Sequence, residues 1–129
     1  MAIGEPVTVL LAEEKSWLRE LFRPTLIALG CDVVAEASCR SEAVRLFKTF
    51  RPELILTDFR LSVGTGLDVL HDVQAIDPAA KVVFLTTHND EHTRRLCLYA
   101  GASGFIVKNR PIEEFIEALA DHLPIPAAA

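Results

Sequence analysis

A chain of 129 residues, 50% hydrophobic and 24% charged, has the make-up of one ordinary soluble domain, large enough to bury a core without disulfides or a structural metal. Its net charge of −5, with 13 lysines and arginines scattered along the chain, excludes general affinity for a phosphate backbone, so no direct nucleic-acid contact is expected. No apolar run approaches the roughly 18 to 20 residues of a membrane span, and no basic region precedes the short apolar segment of "MAIGEPVTVLLAEE", which predicts a cytoplasmic protein without membrane contact.

Short apolar runs alternate with stretches of helical period. The first strand is "VTVLLA" (7–12), followed by a helix whose stripe is Leu18, Leu21, Phe22, Leu26 and Leu29. Pro24 falls inside that helix and forfeits a hydrogen bond to Glu20, at about 3 kcal/mol in a straight helix, so a kink or early break is predicted there. "DVVAEA" (32–37) is a second strand, and Ala43, Leu46, Phe47 and Phe50 mark the next helix. "ELILT" (53–57) is the third strand, with Leu67, Leu70 and Val73 behind it; "KVVFLT" (81–86) is the fourth, before a weakly apolar helix at 90–101. "GFIV" (104–107) closes the series, and Pro111 suits the first turn of a last helix carrying Ile112, Phe115, Ile116, Leu119 and Leu123. The tail "PIPAAA" (124–129) cannot continue a helix past its prolines and reads as a linker stub or a frayed end, leaving residues 1–123 as the single domain. Cys31, Cys39 and Cys97 form no C-x-x-C pair and are expected to be reduced thiols.

Five strands this continuously apolar, separated by helices, predict an α/β fold with one doubly wound parallel sheet of five strands, helices on both faces and the order 2-1-3-4-5 of flavodoxin-like proteins. Ligands bind such sheets beyond the carboxyl ends of the strands, where the winding reverses between strands one and three. Strand one ends in Glu13-Glu14 and strand three in Asp58, so three carboxylates converge there. They repel one another unless a cation sits among them, and oxygen donors with no His or Cys favour Mg²⁺, with Mn²⁺ as the substitute. Strand four contributes Thr86 and Thr87 to the same rim and strand five Lys108. Carboxylates, a hydroxyl and a lysine around a metal form a phosphoryl-handling set with Asp58 as a candidate nucleophile. Each piece alone has a plainer reading as a turn, a helix start or a solvated lysine; their joint placement at four strand ends does not.

The segments "LLAEEKSWLRELF", "LTDFRLSVGTGLDVL", "VVFLTTHND" and "AGASGFIVKNRPIEEFIEAL" make the chain, from about Val7 to Leu123, resemble the CheY-like receiver domains of two-component response regulators. The resemblance implies that Asp58 is phosphorylated by a histidine kinase or a histidine phosphotransfer protein, and that the domain is a switch and not a turnover enzyme. It implies Mg²⁺ ligation by Glu13, Glu14, Asp58 and the backbone carbonyl of Arg60. Lys108 would pair with Asp58 and then with the phosphoryl group, Thr86 would bond a phosphoryl oxygen, and Phe105 would be the aromatic that turns inward as Thr86 moves. The face made by the fourth helix, fifth strand and fifth helix would meet a downstream protein or output domain, and a homodimer through it is compatible with the sequence.

Departures from the family pattern set further expectations. Glu14 replaces the usual aspartate, which predicts weaker or altered magnesium binding. Ser62 replaces a proline beside Gly64 and Gly66, which predicts a more mobile loop after Asp58. Asn109 follows Lys108 where a proline is common, making a cis bond there much less accessible. Arg60 and His88, two residues beyond Asp58 and Thr86, are placed to tune access to the site. His88 and His92 lack the cysteine neighbours a zinc site would favour. A degenerate receiver acting without phosphorylation is the competing reading. A haloacid-dehalogenase-like hydrolase needs an aspartate where Arg60 stands, and neither a G-x-S-x-G elbow nor a Walker loop occurs.

Overall fold

The computed structural model describes residues 6–87, 90–108 and 110–123. Elements alternate strictly: β1 (Val7–Ala12), α1 (Ser16–Ala28), β2 (Cys31–Ala37), α2 (Arg40–Phe50), β3 (Leu54–Thr57), α3 (Gly66–Ile76), β4 (Lys81–Thr86), α4 (Glu91–Tyr99), β5 (Gly104–Val107) and α5 (Ile112–Ala120). The strands form one parallel sheet in the order β2-β1-β3-β4-β5, as expected, with a register irregularity between Val9 and Leu10 against β2.

The continuously apolar strands divide by alternation, because successive side chains point to opposite faces. Leu10, Ala12, Ile55, Val82 and Phe84 meet Phe47 of α2, Val69, Leu70 and Val73 of α3, and Cys97 of α4. On the other face, Val9, Leu11, Leu54, Leu56, Val83 and Ile106 meet Phe22 and Leu26 of α1 and Phe115 and Leu119 of α5. Burial pushes the Cys97 thiol up to about 11, with the charge of Asp90 adding to it, and raises Cys31 too. Both are inert at neutral pH, and all three cysteines are free.

Three local expectations are corrected. α1 does not break at Pro24 but continues through it to Ala28; the proline lies on the exposed side, where water can satisfy the carbonyl that it leaves without a donor. Leu21, Phe50 and Ile112 belong to apolar stripes but are at least half exposed, because the buried strip of each helix is narrower than its apolar pattern. Pro111 is the N-cap of α5, one residue ahead of the first helical turn. His88, Asn109 and the tail at 124–129 lie outside the described residues. Among the described residues no helix is long and apolar enough to cross a membrane.

Candidate functional site

Three residues just past the ends of β1, β3 and β5 still extend the sheet's backbone pairing. The Glu13 N–H donates to the Ala37 carbonyl (2.8 Å), the Asp58 N–H to Ala12 (2.9 Å) and the Lys108 N–H to Thr86 (2.8 Å). Their backbones are thereby fixed by the sheet while their side chains reach over its carboxyl edge.

There they meet. Lys108 Nζ donates to Glu13 Oε1 (2.5 Å) and to Asp58 Oδ2 (2.8 Å), spanning three elements far apart in sequence. The side chains of Lys108, Glu13 and Asp58 are 5%, 4% and 15% exposed. So deep a cluster of charges persists only when paired and hydrogen-bonded, and the remaining oxygens are supplied: the Phe59 N–H donates to Asp58 Oδ1 (2.7 Å) and the Lys15 N–H to Glu13 Oε2 (3.1 Å). Arg19 donates to the Glu13 carbonyl from α1 and is itself held by Glu36 of β2 (3.4 Å), which Arg23 also grips with two hydrogen bonds. Two carboxylates face one ammonium, an excess of one negative charge.

Thr86 is fully buried at the end of β4. Phe105 is half-buried one strand over, its ring 6.5 Å from that of Phe84, which in turn lies 6.3 Å from Phe59 beside Asp58. A cavity of about 260 Å³ adjoins Phe105, lined also by Arg94, Arg110 and Glu114 of the α4–α5 side. Arg60 is exposed and pairs with Thr65 in an isolated bridge, which closes the loop after Asp58.

The structure thus gathers Glu13, Asp58 and Lys108, places Thr86 on the adjoining strand end and leaves Glu14 exposed. Among the described residues no three acidic or histidine side chains stand close enough to hold an ion together. The donor chemistry nevertheless suits Mg²⁺, which takes hard oxygens, usually keeps several waters and needs only one or two carboxylates. Glu13 and Asp58 fit that share, and the excess negative charge favours a cation beside them.

Sequence reasoning gave Gly66 no role at the site. A Cβ at this buried position would stand 2.3 Å from the Asp58 carbonyl and 2.7 Å from Phe84, so only glycine lets α3 start against the backbone of Asp58. Its signal was available: Thr65-x-x-Asp68 is a capping-box pattern, and both reciprocal bonds form, Asp68 N–H to Thr65 (3.2 Å) and Thr65 N–H to Asp68 (2.9 Å). Gly66→Ala is expected to cost about 1–3 kcal/mol through overpacking. A urea midpoint equal to the wild type's would show that the contact relaxes freely.

The model of the response regulator receiver domain family matches residues 9–120. The chemotaxis protein CheY of Thermotoga maritima is 27% identical over 111 residues, covering 86% of this chain and 92% of that protein. A LuxR-family two-component response regulator from Aurantimonas sp. SI85-9A1 has a solved structure with a TM-score of 0.86 at 26% identity, covering 91% of this chain and 84% of that one. A chain of the CheX-CheY-BeF3-Mg+2 complex from Borrelia burgdorferi matches at a TM-score of 0.86, covering 92% of this chain and 90% of its own; at 21% identity this is a likeness of fold.

Proposed function

The chain belongs to the response regulator receiver domain family, and on that premise we propose that it is a phosphorylation-dependent switch in which Asp58 accepts a phosphoryl group from a histidine kinase or histidine phosphotransfer protein. The observation that carries this reading is the buried bridge from Lys108 to Asp58 and Glu13 at the sheet's carboxyl edge. It holds one carboxylate oriented, by Lys108 on one oxygen and the Phe59 N–H on the other, at a rim facing solvent.

In the proposed step an Asp58 oxygen forms a bond to phosphorus while the phosphorus–nitrogen bond of the donor histidine breaks, its electron pair leaving with the imidazole. The acyl phosphate adds about 1.5 to 2 negative charges at the rim. Lys108 is within reach to neutralise part of that charge, and Thr86 stands on the adjoining strand end to bond a phosphoryl oxygen. Mg²⁺, held by Glu13, Asp58 and the Arg60 carbonyl with Glu14 as an outer partner, would supply the rest of the neutralisation. Phe105 has a cavity beside it and a chain of ring contacts back to Phe59, so a shift at Thr86 has a packing route to the α4–β5–α5 face. That face, where Arg94 of α4 meets Phe105 of β5 and Glu114 and Phe115 of α5, is the proposed surface for a downstream protein or output domain. The domain turns over no substrate of its own in this scheme, and it works in the cytoplasm.

The exposed Glu14 and the absence of a ready three-carboxylate group among the described residues give the degenerate, phosphorylation-independent reading its one foothold. Intact mass after incubation with Mg²⁺ and acetyl phosphate separates the two. The switch gains one phosphoryl group in a metal-dependent way; no gain at high Mg²⁺ with several donors would favour the interaction module.

A further inference from the structure

The geometry points to Arg40 as a positioning residue for the loop that carries Asp58, acting on the site through that loop and not by contact. This inference rests on the functional reading above for what the loop positions, and on hydrogen bonds alone for how it is held.

Gly64, Ser62 and the glycine that opens α3 make the segment after Asp58 look loose in sequence. The structure fastens it instead to the turn before α2. Ser62 donates to the Ser38 carbonyl twice, from its N–H (3.0 Å) and its hydroxyl (2.9 Å), a bond pair that needs the N–H a proline would lack. In return, the Arg40 N–H donates to the Val63 carbonyl (3.0 Å). Gly64, at φ +83, lies against the stem of Arg40: a Cβ there would stand 2.7 Å from Arg40 Cβ.

Beyond the loop, the Arg40 side chain reaches the helix that follows. Its Nε and Nη2 donate to the two oxygens of Asp72 (2.7 and 3.0 Å), and Nη1 lies 3.6 Å from Asp68. Asp68 is the capping-box residue that binds the Thr65 N–H, so one residue grips the middle of the loop through its backbone and the start of α3 through its guanidinium. Asp68 and Asp72 are four apart on α3, where like charges repel, and Arg40 offsets that repulsion. The hydrogen bond from Arg40 holds the Asp72 carboxyl below its ordinary range. Asp58 and the Arg60 carbonyl proposed for the metal lie just ahead of these grips, between the end of β3 and the Ser62 tie, with Arg60 bridged to Thr65 inside the gripped segment.

The guanidinium is 43% exposed, and exposed ion pairs alone contribute little. The backbone grip must therefore be tested separately. Arg40 is the first helical residue of α2, where proline is tolerated, and Cys39 before it is extended (φ −144, ψ 168), as a residue preceding proline should be. Arg40→Ala removes the guanidinium only; Arg40→Pro removes the N–H as well.

Hydrogen exchange by mass spectrometry, without metal or donor, is expected to show residues 60–66 exchanging about fivefold faster in Arg40→Ala and faster again in Arg40→Pro, with the rest of the chain unchanged. Calorimetric titration with Mg²⁺ is expected to show the dissociation constant rising in the same order. The inference is overturned if the loop exchanges as in the wild type, if exchange rises evenly along the chain, or if the loop loosens while magnesium affinity stays put. Wild-type protein that binds no Mg²⁺ overturns it together with the metal assignment. Binding of Mg²⁺ without any phosphoryl transfer would overturn the proposed function and leave the role of Arg40 standing.

Discussion

Asp58→Asn is expected to take up no phosphoryl group from acetyl phosphate under conditions in which the wild type gains one, a loss of at least about a thousandfold in labelling rate. The amide has the shape of the carboxylate but lacks the negative charge that makes an Asp58 oxygen a nucleophile toward phosphorus. The fold should tolerate the change. Lys108 keeps Glu13 as a partner at 2.5 Å and the Phe59 N–H keeps an acceptor in the amide oxygen; the amide nitrogen then faces Lys108, which loses one acceptor, while removing one of two carboxylates relieves the excess negative charge of the cluster. The unfolding free energy should therefore change by no more than about 1 kcal/mol in either direction. Intact mass and urea denaturation, run side by side, check both halves. A variant that labels like the wild type would move the acceptor to another residue.

Lys108→Ala is the second large effect, and it acts on stability as well as transfer. Removing the ammonium leaves the carboxylates of Glu13 and Asp58 deep in the site with no counter-charge. Breaking a buried pair from one side costs about 3–5 kcal/mol. A divalent cation supplies the missing charge, so Mg²⁺ should restore part of this loss, by an amount that grows with its concentration above the dissociation constant. Labelling should remain slow, by about a hundredfold, because the positive donor aimed at the phosphoryl oxygens is gone. Urea melts with and without Mg²⁺ separate the two roles. A metal-free midpoint equal to the wild type's would mean that the bridge contributes nothing. A deficit that Mg²⁺ leaves untouched would mean that the cation does not sit beside Glu13 and Asp58.

Much of this architecture was legible because strand alternation and strand ends are sequence properties. The five apolar runs fixed which segments pair in the core, and the order 2-1-3-4-5 then brought Glu13, Asp58, Thr86 and Lys108 to one edge. Rotamers are not written in the sequence in that way. The pair Glu13-Glu14 reads as two equivalent carboxylates, yet the first is buried under Lys108 and the second is exposed, because successive residues leave the strand end in different directions. Backbone partners were equally hidden: the carbonyl of Ser38, which holds Ser62, belongs to every residue type alike and leaves no mark in the sequence. For the same reason Ser62 read as a loosening substitution, although it brings the N–H and hydroxyl that tie the loop down. Pro24 did not end α1, since the cost of a proline depends on which side of the helix faces water.

Chemical location of the phosphoryl group tests the central claim most directly. Protein labelled with acetyl phosphate and Mg²⁺ is reduced with borohydride, which converts an aspartyl phosphate to homoserine, and the peptides are then sequenced by mass spectrometry. The account predicts homoserine at residue 58 and at no other aspartate. Label found elsewhere, or a stable phosphate that borohydride does not reduce, would contradict it.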